Sequence, residues 1–238
     1  IHVVPLTNSI NYITKLTDTN KNRENFLLIG NHDMKDNNSF LSNYHPFNGL
    51  KNISNLTIVD KVIIKEFKGM KFCFIPYTYP GRLFEAISTG LKKDTITSPG
   101  KPSESFDKDD FKDITAFFGH QEIYGTKMGA VVSTVGDKWS EEYPYFISGH
   151  IHDYCRPQKN VIYVGTPMQH AFGDRDDKTV SIWTFSKDKL PIERRVDLGL
   201  TKKIIVNLNC SEVISWKPTA GCLIKLIING TNNEIKAL

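Results

Sequence analysis

The stretch YPYFISGHIHDY, residues 143–154, decides how this chain is read. It runs from aromatic and β-branched residues into a glycine, then into two histidines one residue apart and an aspartate. The apolar run is short and rich in residues that favour strands, so it predicts a buried strand ending near Gly149. On a continuing strand His150 and His152 would point to opposite faces. They serve one ion only if the strand has ended; otherwise each serves its own. The same arrangement occurs twice upstream. FLLIG at 26–30 is followed by Asn31, His32 and Asp33, and ITAFFG at 114–119 by His120, Gln121 and Glu122. Each of these strand ends carries polar groups able to bind metal, and α/β sheets bind ligands beyond the carboxyl ends of their strands. The glycine at each end is expected to turn the backbone sharply and aim the next side chain. Of the seven histidines, His32, His120, His150 and His152 follow such a glycine closely, whereas His2, His45 and His170 do not. One such histidine alone is more ordinarily a hydrogen-bonded turn residue. Four together point to a shared site, and the separated pair fits a two-metal centre, in which ions roughly 3.5–4 Å apart clamp a phosphoryl group.

Composition frames this without naming it. The 238 residues are 39% hydrophobic and 24% charged, ordinary for a globular protein with one main domain. A net charge of +4 suits a polyanionic partner but identifies none. The four cysteines form no CxxC pair, which argues against a zinc knuckle or a disulfide framework and for reduced thiols in a cytosolic compartment. No apolar run reaches the length of a membrane span. The chain opens on IHVVPLTNSINYITKL without a methionine, with Leu6, Ile10, Ile13 and Leu16 at helical spacing. It closes on LIKLIINGTNNEIKAL, read as a strand, a turn at Asn229-Gly230 and the start of a helix. Both ends read as those of a fragment.

GNHD at 30–33, the lone strand-end histidine of FFGHQE and GHIH at 149–152 resemble, in order and spacing, the calcineurin-like metallophosphoesterases, over most of the chain. VIYVGTPMQHAFGD at 161–174 and IERRVDLGLTKKIIVNLN at 192–209 are most similar to the SbcD-type nucleases of DNA repair and phage recombination. The resemblance implies an α/β sandwich of two facing sheets flanked by helices. Residues 1–197 would be the phosphoesterase core and 198–238 the beginning of a capping domain. It makes Asn31, His120 and His150 ligands of one divalent metal and His152 a ligand of a second. Manganese is favoured, with iron or zinc chemically admissible. His32 would contact the phosphate or protonate the leaving oxygen, with Asp33 orienting its ring, while water activated by the two metals attacks phosphorus. The implied partners are DNA, an SbcC-type ATPase subunit and a second copy of the chain, with no membrane, in the cytoplasm or a nuclear or viral replication compartment. Alternatives are a phosphoesterase for nucleotides or phosphoproteins, or a non-catalytic scaffold. The family's Asp-x-His and Gly-Asp-x-x-Asp motifs, which precede GNHD, are absent here. The chain by itself is therefore expected to hold at most one metal, weakly, and to be inactive.

Other features carry less. GDRDD at 173–177 matches the missing motif by letters but follows GHIH, and reads as a polar turn. FDKDDFKD at 106–113 reads as a solvated loop or helix start, TSPGKPSESF at 97–106 as a long loop, and Cys155 as a small buried residue rather than a soft ligand. In NNSFLSNYHPFNG, Tyr44, His45 and Phe47 are as suited to loop packing as to stacking on a nucleic-acid end. KFCFIPY, VIYVGTP and VSIWTF predict further strands.

Overall fold

The helical spacing at the start of the chain becomes α1 (Val3–Thr19). Its Leu6, Ile10 and Ile13 pack against buried Ile29, Phe47, Leu56 and Ile58, while Leu16 stays 43% exposed. The computed structural model describes residues 3–19, 21–36, 38–91, 106–129 and 131–238. The TSPGKPSESF stretch lies outside them except for Phe106. The chain divides into two units, one of residues 1–150 and 156–163, the other of residues 151–155 and 164–238.

In the first unit, β1 (Asn25–Leu28) pairs in parallel with β2 (Leu56–Val59). A hairpin follows, β3 (Ile63–Phe67) and β4 (Met70–Phe74), closed by Lys68 and Gly69 with φ of 51° and 73°. Then come α2 (Leu83–Leu91), β5 (Ile114–Gly119), the small hairpin of β6 (Lys127–Met128) and β7 (Val131–Val132), β8 (Tyr145–Ser148), β9 (Cys155–Gln158) and β10 (Val161–Tyr163). Six strands make one mixed sheet in the order β3-β4-β5-β8-β10-β9, with β4, β5, β8 and β10 parallel. Parallel strands are covered on both faces and so read as continuous apolar runs, which is what YFIS and VIY are. On one face Phe74 stacks on Phe118 at 5.2 Å and on Phe26 of β1 at 4.2 Å, so the β1–β2 pair packs against the larger sheet. On the other, Phe117 and Phe146 meet Trp139, which stacks on Phe111. FDKDDFKD is a 3-10 turn, Lys108–Phe111, whose start Asp107 caps while its Phe111 is 1% exposed.

The second unit holds the antiparallel pair β11 (Val180–Ser186) and β12 (Lys189–Val196). Beyond them β13 (Lys202–Asn209) crosses through the short α3 (Cys210–Val213) to a parallel β14 (Cys222–Asn229). After Asn229-Gly230, Thr231 caps α4 (Asn232–Lys236) by accepting the Glu234 N–H. The fold is mixed α/β with a multistranded sheet. Among the described residues no helix is long and apolar enough to cross a membrane.

Candidate functional site

Asn31, His120 and His150 meet because the strands before them end together. β5 and β8 are neighbours with Gly119 opposite Ser148, and Gly149 N–H donates to Gly119 O at 3.0 Å. The end of β1 joins them through Tyr77, whose N–H donates to Ile29 O at 2.7 Å. The side chains converge accordingly. His120 Nε2 lies 3.2 Å from Asn31 Oδ1, and the His120 and His150 rings stand 5.3 Å apart and nearly perpendicular.

The glycines act differently from the sharp-turn role expected of them. Gly30, Gly119 and Gly149 are all outside the left-handed region. They leave room instead. A Cβ on Gly30 would come 3.0 Å from His120 Nε2, one on Gly149 2.8 Å from its Nδ1, and one on Gly119 2.7 Å from Phe146. The His120 ring thus lies between two bare backbones. The left-handed residue is His150 itself, φ 78°, so β8 has ended before either histidine of GHIH.

His32 is exposed on the turn that follows Gly30. The Asp33 carboxylate accepts the Gly30 N–H at 2.9 Å and so closes this turn. His152 belongs to the second unit, where its ring stacks on His170 at 4.7 Å and 21°. The backbone beside it is fixed by Lys178, whose side chain is only 6% exposed. Its ammonium donates to His152 O and to Asp153 Oδ1, both at 2.8 Å. GDRDD is the polar turn expected: the Asp174 carboxylate accepts from Ala171 and His170 N–H, which together with the charges of Lys178 and His152 hold it below the usual carboxylate range despite some burial. Burial raises the Cys155 thiol, assisted by the charge of Asp153.

Sequence reasoning missed three contributors. Tyr77 stacks on His150 at 5.9 Å and meets His120 edge-on at 6.4 Å. Burial raises its phenol, reinforced by Glu122, Tyr79 and Asp137. Its one signal was its place just past KFCFI, a further strand end. Gln121, grouped with the metal-binding candidates, is instead a fully buried brace. Its amide donates to Pro76 O at 2.6 Å and accepts from Thr78 Oγ1 at 3.0 Å, and its carbonyl accepts the Tyr163 hydroxyl at 2.9 Å. Asp137 is buried, and that burial lifts its carboxyl to about 6 against the pull of backbone N–H groups.

Three donors, one amide oxygen and two imidazoles, could hold a divalent ion; none is a carboxylate. Among the described residues no group of three or more His, Cys, Asp and Glu side chains is placed to hold one. A cavity of about 640 Å³ lies apart from these donors, lined by Leu41, Ser42, Asn43, Lys51, Asp60 and Lys61 together with Leu56–Ile58 of β2. Behind it His45, its side chain fully buried, bonds Asp60 at 3.2 Å. Burial would raise that carboxyl, but Lys51 and His45 bring it below its ordinary value. With Phe47 in the core, His45 and Phe47 are packing residues, whereas Tyr44 is 73% exposed.

No family model matches the chain. Among curated proteins, "Putative phosphoesterase 244L" of Invertebrate iridescent virus 6 is 34% identical over 242 residues, covering 100% of this chain and 79% of the relative. "Putative phosphoesterase 078R" of Invertebrate iridescent virus 3 is 35% identical over 238 residues, covering 98% of this chain and 63% of the relative, so the chain spans less than two thirds of that protein. With this identity sustained along its whole length, the chain belongs to the phosphoesterase family.

Proposed function

We propose that the protein is a calcineurin-like metallophosphoesterase of the SbcD type that hydrolyses phosphodiester bonds in DNA. The observation that supports this reading is the meeting of Asn31, His120 and His150 from three strand ends, with Asn31 Oδ1 3.2 Å from His120 Nε2. That contact is a hydrogen bond, and an amide oxygen with imidazole nitrogens is a donor set that would suit a first-row divalent metal. In this reading Asn31, His120 and His150 hold one ion and His152 contributes to a second, manganese being the preferred metal. When bound, such ions supply Lewis acidity toward the phosphoryl oxygens and a nucleophilic water at neutral pH. The chain's own residues do the rest. His150 and His120 are held in place by Tyr77 and the two flanking glycines. His32, presented to solvent on the turn that Asp33 closes, gives a proton to the leaving oxygen. Because no carboxylate is among the three donors, the 238-residue chain alone would bind at most one ion, weakly. Residues 1–197 would form the catalytic core and 198–238 open a capping domain, beyond which an SbcC-type ATPase binds, with a second copy as a further partner.

The test uses the full-length protein with manganese. We expect cleavage of DNA, a kcat lowered about 10²–10⁴-fold in His32→Ala with manganese affinity unchanged, and manganese affinity lost in His150→Ala. Hydrolysis confined to nucleotides or phosphoproteins would reassign the substrate. Equal losses of manganese affinity in the two variants would overturn the role given to His32.

A further inference from the structure

Two loops beside the candidate centre present tyrosines to solvent. Tyr79, beyond β4, is 49% exposed, and Tyr124, beyond β5, is 48% exposed. Asp137 ties the loops together: its carbonyl accepts the Tyr124 N–H at 2.9 Å and its carboxylate the Gly81 N–H at 3.0 Å. The backbone around Tyr124 is anchored further. Ile123, Thr126 and Ser133 are buried, and Ile123 N–H donates to the Tyr163 hydroxyl at 2.9 Å. The rings are therefore exposed on a fixed backbone. Lys138 Nζ lies 5.3 Å over the Tyr124 ring. From Ile123 to Lys138 the charged residues are Lys127, Asp137 and Lys138, and Asp137 is buried, so this segment shows solvent a cationic and aromatic face. It adjoins the centre, because Tyr77, two residues before Tyr79, stacks on His150, and Tyr124 follows His120 by four.

Rigid exposed rings with lysines beside them are the chemistry that holds unpaired bases. The π faces stack on any base and the ammonium groups meet the backbone phosphates. We propose that Tyr79 and Tyr124 form a stacking ledge for the bases of a single-stranded nucleic acid whose phosphodiester lies at Asn31, His120 and His150. This rests on the phosphodiesterase reading and narrows its substrate to a strand with unpaired bases at the site. The exposed Val131, Val132 and Val135 on the same hairpin would suit a protein partner instead, and the experiment separates the two.

Full-length protein, the double variant Tyr79→Ala/Tyr124→Ala and the double variant Tyr79→Phe/Tyr124→Phe are compared for binding of a fluorescent single-stranded oligonucleotide. Their manganese-dependent hydrolysis of that oligonucleotide and of an abasic deoxyribose-phosphate oligomer, which keeps the phosphodiesters but has no ring to stack, is measured alongside. Base stacking at about 1–3 kcal/mol per base predicts that the alanine variant loses about tenfold or more in oligonucleotide affinity relative to its KM for the abasic oligomer, whereas the phenylalanine variant keeps the parent's ratio. An alanine variant that binds the oligonucleotide as the parent does overturns the ledge, including the case in which it loses only a protein partner. Oligonucleotide binding that depends on the rings without hydrolysis of either substrate upholds the ledge and overturns the phosphodiesterase reading.

Discussion

His150 carries an imidazole where the backbone would prefer none. At φ 78° a Cβ crowds the neighbouring carbonyl, at a cost of about 1–2 kcal/mol, and histidine is among the few side chains found there with any frequency. Strain kept at a non-glycine position points to a side chain retained for what it does. This can be measured. His150→Ala and His150→Gly both lose the stack on Tyr77, but only alanine keeps the strain. We expect the glycine variant to be the more stable by about 1 kcal/mol in urea unfolding, the relief exceeding glycine's entropy in the unfolded chain. Equal stability, or a more stable alanine variant, would show that the backbone is unstrained. The residues that meet here were legible because each follows an apolar run and a glycine, a local pattern. Tyr77 was not, because its value comes from the neighbours that strand pairing gives it.

Helix α2 begins on a cap that no local pattern announces. Asp137, far along the chain, accepts the Gly81 and Leu83 N–H groups from its buried position. A capping box is read within a few residues, whereas this cap depends on how the loop after β7 returns. Its pH consequence follows from burial. The folded pKa of about 6 lies above the ordinary 3.8, so the folded state binds the proton more tightly. The stabilisation is complete below the unfolded value and is lost as pH rises through about 6. Asp137→Asn keeps one acceptor oxygen for these backbone donors and does not titrate, so it sets a pH-independent baseline. Between pH 7 and pH 4 the parent should gain about 2–3 kcal/mol of unfolding free energy relative to this variant. Glu122, whose charge adds to the upward shift, is present in both proteins. Parallel pH profiles for parent and variant would show that Asp137 is solvated. The same reliance on pairing hid Gln121: a glutamine next to a candidate ligand looks like chemistry, and only the positions of Pro76, Thr78 and Tyr163 make it a brace.

Across the molecule, stability should be uneven. Strands β5, β8 and β10 lie inside the large sheet, and every residue of β10 is buried. In β14, by contrast, Leu223 is 52% exposed and Leu226, Ile227 and Ile228 all exceed a third. Amide hydrogen exchange should be slowest at 114–119, 145–148 and 161–163 and much faster at 222–229, since local opening follows burial. Comparable protection in β14 would mean that its apolar side chains are covered in solution. At this scale the alternation of apolar runs and turns was enough to foresee an α/β chain with strands at KFCFI, VIY and VSIWTF. How the chain divides was not, because the two units interleave in sequence. The bare backbones on either side of the His120 ring bear on inheritance. Gly30, His120 and Gly149 lie on different segments, yet a methyl group at Gly149 would push the imidazole aside and one at Gly30 would crowd it. The three codons should therefore be coupled in descent: a lineage that exchanges the histidine for a small residue frees both glycines to drift, and one that keeps it favours glycine beside the ring, most strongly at 149.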